Sequence, residues 1–250
     1  KTAEGLIQFS QGVGVKEYFI AACWAILAAA VCDAIDGPVA RLTRTASSFG
    51  LQYDSLADVV AFGVTPAFLM FANLRTMDPQ MLPDYAPKLA LGACSLYAIC
   101  SAIRLARFNV QASTTEKRFF SGLPSPGAAG TVVTAYLFVE WFSDLPFIAN
   151  FEDPVWIARL LHRSILLLMV GLALLMVSEI PFPKLRNMIP LARKPFNTLV
   201  IVITIACAII VFEDYMPVFL FSAFLVYIGS ALITAMRARG EKPERPAGLT

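Results

Sequence analysis

The chain has 250 residues, of which 58% are hydrophobic and 15% charged, with a mean hydropathy of +0.67. This composition excludes an ordinary soluble domain and indicates a polytopic membrane protein. The formal net charge of +2 decides little by itself, because the placement of the charges along a membrane chain carries the information.

In chain order, residues 1–9 read as the stub of an earlier helix and 10–16 as an external connection. Seven apolar runs follow, at about 17–41, 55–74, 88–110, 126–142, 160–180, 196–212 and 217–236. Each is long enough to cross ~30 Å of hydrocarbon. The expected fold is therefore all-α, a polytopic transmembrane helical bundle with seven visible spans and an eighth, N-terminal span in the full protein. Short connections make residues 1–236 a single transmembrane domain, followed by a basic cytoplasmic tail over 237–250. That tail contains Pro243 and Pro246 and is expected to be disordered near anionic headgroups. It is too short to suggest nucleic-acid binding.

Lys and Arg set the expected orientation. Fourteen, from Arg41 and Arg44 through Arg104, Arg107, Lys184 and Arg186 to Arg245, fall on one side, against five on the other: Lys16, Arg75, Lys88, Arg159 and Arg163. The richer side is expected to be cytoplasmic, which places 42–53, 112–125 and 183–195 inside and 76–87 and 144–156 outside. The cysteines at 23, 32, 94, 100 and 207 form no C-x-x-C pair and read as small buried apolar residues. His162 reads as an interfacial residue.

Against this apolar background, Asp33, Asp36, Asp54 and Asp58 stand out in or beside the first two spans. A charge at the bilayer centre costs ~2.5–3.5 kcal/mol on insertion scales, so such a cluster requires compensation. Bound cations supply it most directly. Asp33, Asp36 and Ala40 are spaced i, i+3, i+7 and share one helix face; Asp54 and Asp58 are spaced i, i+4 and share a face of the next helix. Facing one another, these pairs form an oxygen-rich cup. Oxygen ligands suit Mg²⁺, Mn²⁺ or Ca²⁺ rather than zinc, and four carboxylates are enough for two metals.

The full pattern is D-x2-D-G-x2-A-R-x8-G-x3-D-x3-D, from Asp33 to Asp58. It resembles, without a mismatch, the signature of the CDP-alcohol phosphotransferase family. Chance agreement at its eight fixed positions is on the order of 10⁻⁹ per start position, which makes the resemblance specific. The stretches Ser55–Pro66, Arg104-Leu-Ala-Arg-Phe-Asn109, Phe119–Gly127 and Val177–Lys184 are similar to the branch of that family whose acceptor is serine. These secondary stretches are less specific than the aspartate pattern.

The resemblance implies transfer of a phosphatidyl group from CDP-diacylglycerol to the hydroxyl of L-serine, releasing CMP. It implies two divalent cations, Mg²⁺ or Mn²⁺, held by Asp33, Asp36, Asp54 and Asp58, with Asp58 as the proton acceptor. It places Gly37, Ala40, Arg41 and Gly50 against the nucleotide, and it implies a homodimer in the membrane. Arg104 and Arg107, spaced i, i+3, are read as binding the diphosphate or the serine carboxylate, with snorkelling at the membrane boundary as the competing reading. Asn109 is a further candidate for holding the small zwitterion. Glu179 is left open between pairing with an arginine and meeting the serine ammonium. Two alternatives remain: the same chemistry with another acceptor, such as glycerol 3-phosphate or inositol phosphate, and cation transport through intramembrane carboxylates.

Overall fold

The structure, a computed structural model, describes residues 2–43, 47–76, 86–112, 119–149, 154–183 and 215–240. Helix α1 runs over Thr2–Leu42. Helix α2, Ser48–Asp58, continues through a π-helical turn, Val59–Val64, into α3, Thr65–Thr76. Then come α4 (Ala86–Ala112), strand β1 (Phe119–Ser121), α5 (Ser125–Ser143) and the short α6 (Pro146–Ala149). Helix α7 (Pro154–Val177), strand β2 (Pro181–Pro183) and α8 (Met216–Gly240) complete the order. Six of the seven expected spans are present as helices; the expected span at 196–212 lies outside the described residues.

Two boundaries differ from expectation. Residues 10–16, expected as an external connection, are helical and continuous with the span after them. Nothing in Gln8–Lys16 breaks a helix strongly: Gly12 and Gly14 each cost only ~1 kcal/mol, and no proline intervenes. At the other end, α8 continues to Gly240, beyond the expected boundary at 236.

Among the described residues, five segments are individually long and apolar enough to cross a bilayer: Gly14–Asp36, Gln52–Thr76, Pro87–Val110, Leu160–Val177 and Met216–Thr234. Their outward faces carry exposed apolar side chains such as Val31, Ile99, Leu167 and Val226, as lipid contact requires. Helix α5 is not among them, yet it is the axis of the bundle. It packs against α1, α3, α4, α7, α8 and the π turn, and residues 128–137 are all buried. A helix surrounded by protein does not need a lipid-compatible surface. It carries Thr131 and Thr134, whose hydroxyls donate to the carbonyls of Gly127 and Gly130. Small residues let its neighbours approach closely. At Gly130 a Cβ would overlap the ring of Phe224 from α8.

The end of the bundle remote from the aspartates is tied by charge. Lys16 on α1 contacts Glu140 at 3.0 Å and Asp144 at 2.9 Å, and His162 on α7 meets Glu140 at 3.1 Å. Glu140, on α5, thus joins three helices. His162 lies at an end of its span, as expected, but faces this network. Beside it a cavity of about 370 Å³ opens between α1, α3 and α5. Cys23, Cys94 and Cys100 are buried as expected; Cys32 is instead exposed on α1, and Cys207 lies outside the described residues.

The close approach at Gly130 is testable. Gly130→Ala should cost about 1–3 kcal/mol, the usual range for overpacking, and lower the melting temperature of the detergent-solubilised protein. An unchanged melting temperature would contradict the packing of α8 on α5.

Candidate active site

Asp33 lies near the end of the first span on α1 and is half-buried. Helix α2 starts at a defined point because Ser47 caps it, its hydroxyl accepting from the Gly50 N–H at 3.0 Å. From that start, Asp54 and Asp58 project on one face, one exposed and one half-buried. Carboxylate oxygens of Asp33, Asp54 and Asp58 all come within 4.8 Å of one another.

This convergence joins two helices and brings three of the four sequence-selected aspartates together. Asp36 lies one turn further along α1; it is exposed and stands outside the group. Gly37, Ala40 and Arg41 continue the backbone of α1, and their side chains lie outside the described residues. Gly50 sits in the first turn of α2.

The donor set fits a hard divalent cation. Oxygens on opposite sides of a Mg²⁺ ion stand about 4.2 Å apart, and those around Ca²⁺ about 5 Å apart. Carboxylate oxygens that lie within 4.8 Å of one another are close enough to share one such ion. They offer oxygen only, and no histidine or cysteine belongs to the group.

The π turn begins at Val59, immediately after Asp58, so the register of both aspartates on α2 depends on how that turn is held. A wider turn displaces backbone groups from the usual i→i−4 pattern, and they need other partners. Tyr97, fully buried on α4, donates its hydroxyl to the Phe62 carbonyl at 3.1 Å, and the Thr65 hydroxyl donates to the Val60 carbonyl at 2.8 Å. Further along, Asn109 Nδ2 donates to the Ser55 hydroxyl at 3.0 Å. Helix α4 therefore fastens the aspartate helix both beside the carboxylates and beyond them.

The same helix carries both arginines. Arg104 is buried, donates to the Ser125 hydroxyl at 3.1 Å and lies within electrostatic reach of Asp58. Arg107 donates to the Val177 carbonyl at 3.2 Å and pairs with Glu179 at 2.8 Å. Of the two possibilities left open for Glu179, the structure shows the pairing with an arginine.

Behind Arg107 the chain closes with a two-stranded antiparallel pairing of β1 and β2, Phe120 opposite Phe182. Gly122, just after β1, has φ +82°, and a Cβ there would overlap the Met176 carbonyl oxygen. Only glycine combines that conformation with that contact. The two stretches read from sequence as family marks are thus a backbone clamp between the α4–α5 connection and the end of α7. Sequence reasoning did not single out Tyr97, Ser125 or Glu140. The Leu-Pro-Ser-Pro-Gly start of α5 was a legible signal for Ser125, since proline is favoured in the first helical turn.

A profile of the CDP-alcohol phosphatidyltransferase family matches residues 6–234. The chain belongs to that family. A Helicobacter pylori relative, named CDP-diacylglycerol–serine O-phosphatidyltransferase, is 36% identical over 169 residues, covering 68% of this chain and 63% of the relative. One of the same name from Mycobacterium tuberculosis is 28% identical over 225 residues, covering 88% of this chain and 71% of the relative. The archaetidylserine synthase of Methanothermobacter thermautotrophicus is 33% identical over 170 residues, covering 67% of this chain and 60% of the relative. The chain thus spans less than two thirds of the length of the Helicobacter relative. Within the family frame, the expectation of a polytopic helical membrane protein holds, and among the described residues the acidic cluster could hold a metal.

Tyr97→Phe tests the fastening of the π turn. It leaves the Phe62 carbonyl without its partner and should cost about 1–3 kcal/mol of stability. Thermal unfolding of the purified variant measures this, and wild-type stability would show that the bond does not hold the turn.

Proposed function

We propose that this chain transfers the phosphatidyl group of CDP-diacylglycerol to the hydroxyl of L-serine, giving phosphatidylserine and CMP. The observation that carries the reading is the meeting of Asp33, Asp54 and Asp58 from two membrane helices within 4.8 Å. The uninterrupted family pattern and the names of the relatives supply the reaction class and the acceptor.

In this reading Asp33, Asp36, Asp54 and Asp58 hold two divalent cations, Mg²⁺ or Mn²⁺. Metal so bound supplies charge neutralisation of the diphosphate and of the departing CMP. Gly37, Ala40, Arg41 and Gly50 lie along the nucleotide. Asp58 accepts the proton of the serine hydroxyl as that oxygen attacks the phosphorus bearing the diacylglycerol. The new P–O bond forms as the bond to CMP breaks, and the electron pair leaves with CMP. Asn109 holds Ser55, next to Asp54, and so steadies the aspartate helix at the acceptor end.

The membrane location suits a lipid donor, and the position of the cluster toward one end suits a water-soluble acceptor. The excess of Lys and Arg supports a cytoplasmic position for that end. A single transmembrane domain with a basic tail, working as a homodimer, is the accompanying proposal.

Four outcomes are expected. Exhaustive chelation should abolish CMP release from CDP-diacylglycerol and serine, and Mg²⁺ or Mn²⁺ should restore it; undiminished turnover would contradict a metal-dependent site. Asp58→Asn should lower turnover by roughly 10²–10⁴-fold, the range for removing a general base, while keeping Mn²⁺-dependent affinity for CDP-diacylglycerol. Asp54→Asn should lose that affinity together with the rate. Equal loss of affinity in both variants would make Asp58 a ligand first. In the same assay serine should outperform glycerol 3-phosphate as acceptor, and the reverse order would reassign the acceptor.

A further inference from the structure

No proline lies within the run Val59–Val64 that follows Asp58, yet it forms a π turn. The cause stands just beyond it, at the buried Pro66 in the first turn of α3. In a regular α-helix the N–H of residue 66 would donate to the Phe62 carbonyl. Proline has no N–H, and its ring pushes that carbonyl aside. The chain widens instead. The Thr65 N–H reaches back to the Val60 carbonyl, and the Thr65 hydroxyl donates to the same oxygen at 2.8 Å. The displaced Phe62 carbonyl receives the hydroxyl of the fully buried Tyr97 at 3.1 Å. One turn along α4, Ser101 closes on Gly63: a Cβ there would stand 3.0 Å from the Ser101 hydroxyl oxygen and 3.1 Å from its Cβ. The bond and the close approach together seat the turn on α4.

The turn changes direction as well as width. A π turn takes in one residue more than an α turn. Each residue of α-helix turns the chain by about 100°. Helix α3 is fixed by its buried Ala67, Met70 and Leu74, packed among α1, α4 and α5. Helix α2 is therefore rotated by about 100° from where a regular continuation of α3 would put it. A carboxylate ~5–6 Å from the helix axis moves about 8 Å under such a rotation. That exceeds the 4.8 Å within which Asp33, Asp54 and Asp58 meet. A regular α-helix throughout would turn Asp54 and Asp58 away from α1.

We propose that the π turn aims Asp54 and Asp58 at Asp33, with Pro66, Tyr97 and Gly63 as its positioning residues. They act through the direction of α2. A proline alone asks only for a kink. Here the carbonyl that Pro66 frees has a buried donor on the neighbouring helix, and the residue after Phe62 is a glycine that lets that helix approach. The turn is thus held in its wide form from outside as well as caused from within. The consequence for metal binding rests on the reading above that these carboxylates hold a divalent cation; the consequence for their geometry does not.

The test uses the full chain in lipid nanodiscs, as wild type, Tyr97→Phe, a deletion of Val60, and Gly130→Ala. Val60 is exposed, so its deletion takes one residue out of the turn and no side chain out of the core. Gly130→Ala disturbs the packing of α8 on α5 and serves as a packing defect outside the turn. Two quantities are read beside the melting temperature. One is the affinity for Mn²⁺, from the EPR signal of the free ion. The other is the yield of cross-linking between Asp33→Cys and Asp58→Cys by a short bis-thiol reagent without metal, in a Cys32→Ser background because Cys32 is exposed. Deletion of Val60 should weaken Mn²⁺ binding about tenfold or more and lower the cross-link yield to a similar degree. Tyr97→Phe should weaken Mn²⁺ binding about three- to tenfold, as loss of one buried hydrogen bond implies. Gly130→Ala should lower the melting temperature and leave Mn²⁺ affinity and cross-linking within about twofold of wild type. Wild-type affinity and cross-linking in the Val60 deletion would overturn the proposal. So would a loss of affinity in Gly130→Ala equal to that in Tyr97→Phe, since the effect would then be general loosening. Should the deletion fail to fold, Tyr97→Phe carries the same readings. Absence of Mn²⁺ binding in wild type, with cross-linking that depends on the turn, contradicts the metal site and leaves the positioning standing. Mn²⁺ binding that the deletion retains contradicts the positioning and leaves the metal site standing.

Discussion

Three carboxylates within 4.8 Å, in a chain with a mean hydropathy of +0.67, are the constraint around which the molecule is arranged. Mutual repulsion and partial loss of hydration both oppose the cluster. The helices must therefore hold the carboxylates together while no cation is bound. Asp33 comes from α1 and the others from α2, so the cluster exists only if those two helices keep their relative position and rotation. Each helix is held through a third element. Helix α1 rests on α5 and is tied to it by Lys16, at about 25 Å along the helix from Asp33. Helix α2 and its π turn rest on α4 through Tyr97, Ser101 and Asn109.

The two ends of the bundle divide the work. The remote end uses the Lys16, Glu140, Asp144 and His162 contacts to join α1, α5 and α7. There Lys16 lies between two carboxylates, so opposite charges meet across the helices. The aspartate end keeps like charges together beside a buried arginine whose Nε has no hydrogen-bond partner among the described residues, a helix start without a side-chain cap, and a strand clamp that depends on Gly122. Helix α5 connects them, with Glu140 near one terminus and Ser125 at the other.

How much of this was legible in the sequence depends on range. The aspartate pairs were visible because helical spacing within one segment is local, and the spans were visible because a bilayer imposes a length and a polarity. The long continuation of α1 through residues 10–16 was not visible, since glycines there weaken a helix without ending it. Helix α5 was found as a span, but its place at the centre depends on every neighbour and has no local signature. Asp36 shares a face with Asp33 by spacing, yet stands outside the group, because convergence depends on where α2 crosses α1. The pairing of Arg107 with Glu179 and the bond from Arg104 to Ser125 likewise join residues 72 and 21 positions apart.

The central claim is that Asp33, Asp54 and Asp58 converge in order to hold a divalent cation. The most direct measurement is an anomalous-difference map from crystals of the protein grown with Mn²⁺. The account predicts a manganese peak within coordination distance of all three carboxylates. A peak at another site with this group unoccupied, or no peak among the three at saturating Mn²⁺, would contradict it.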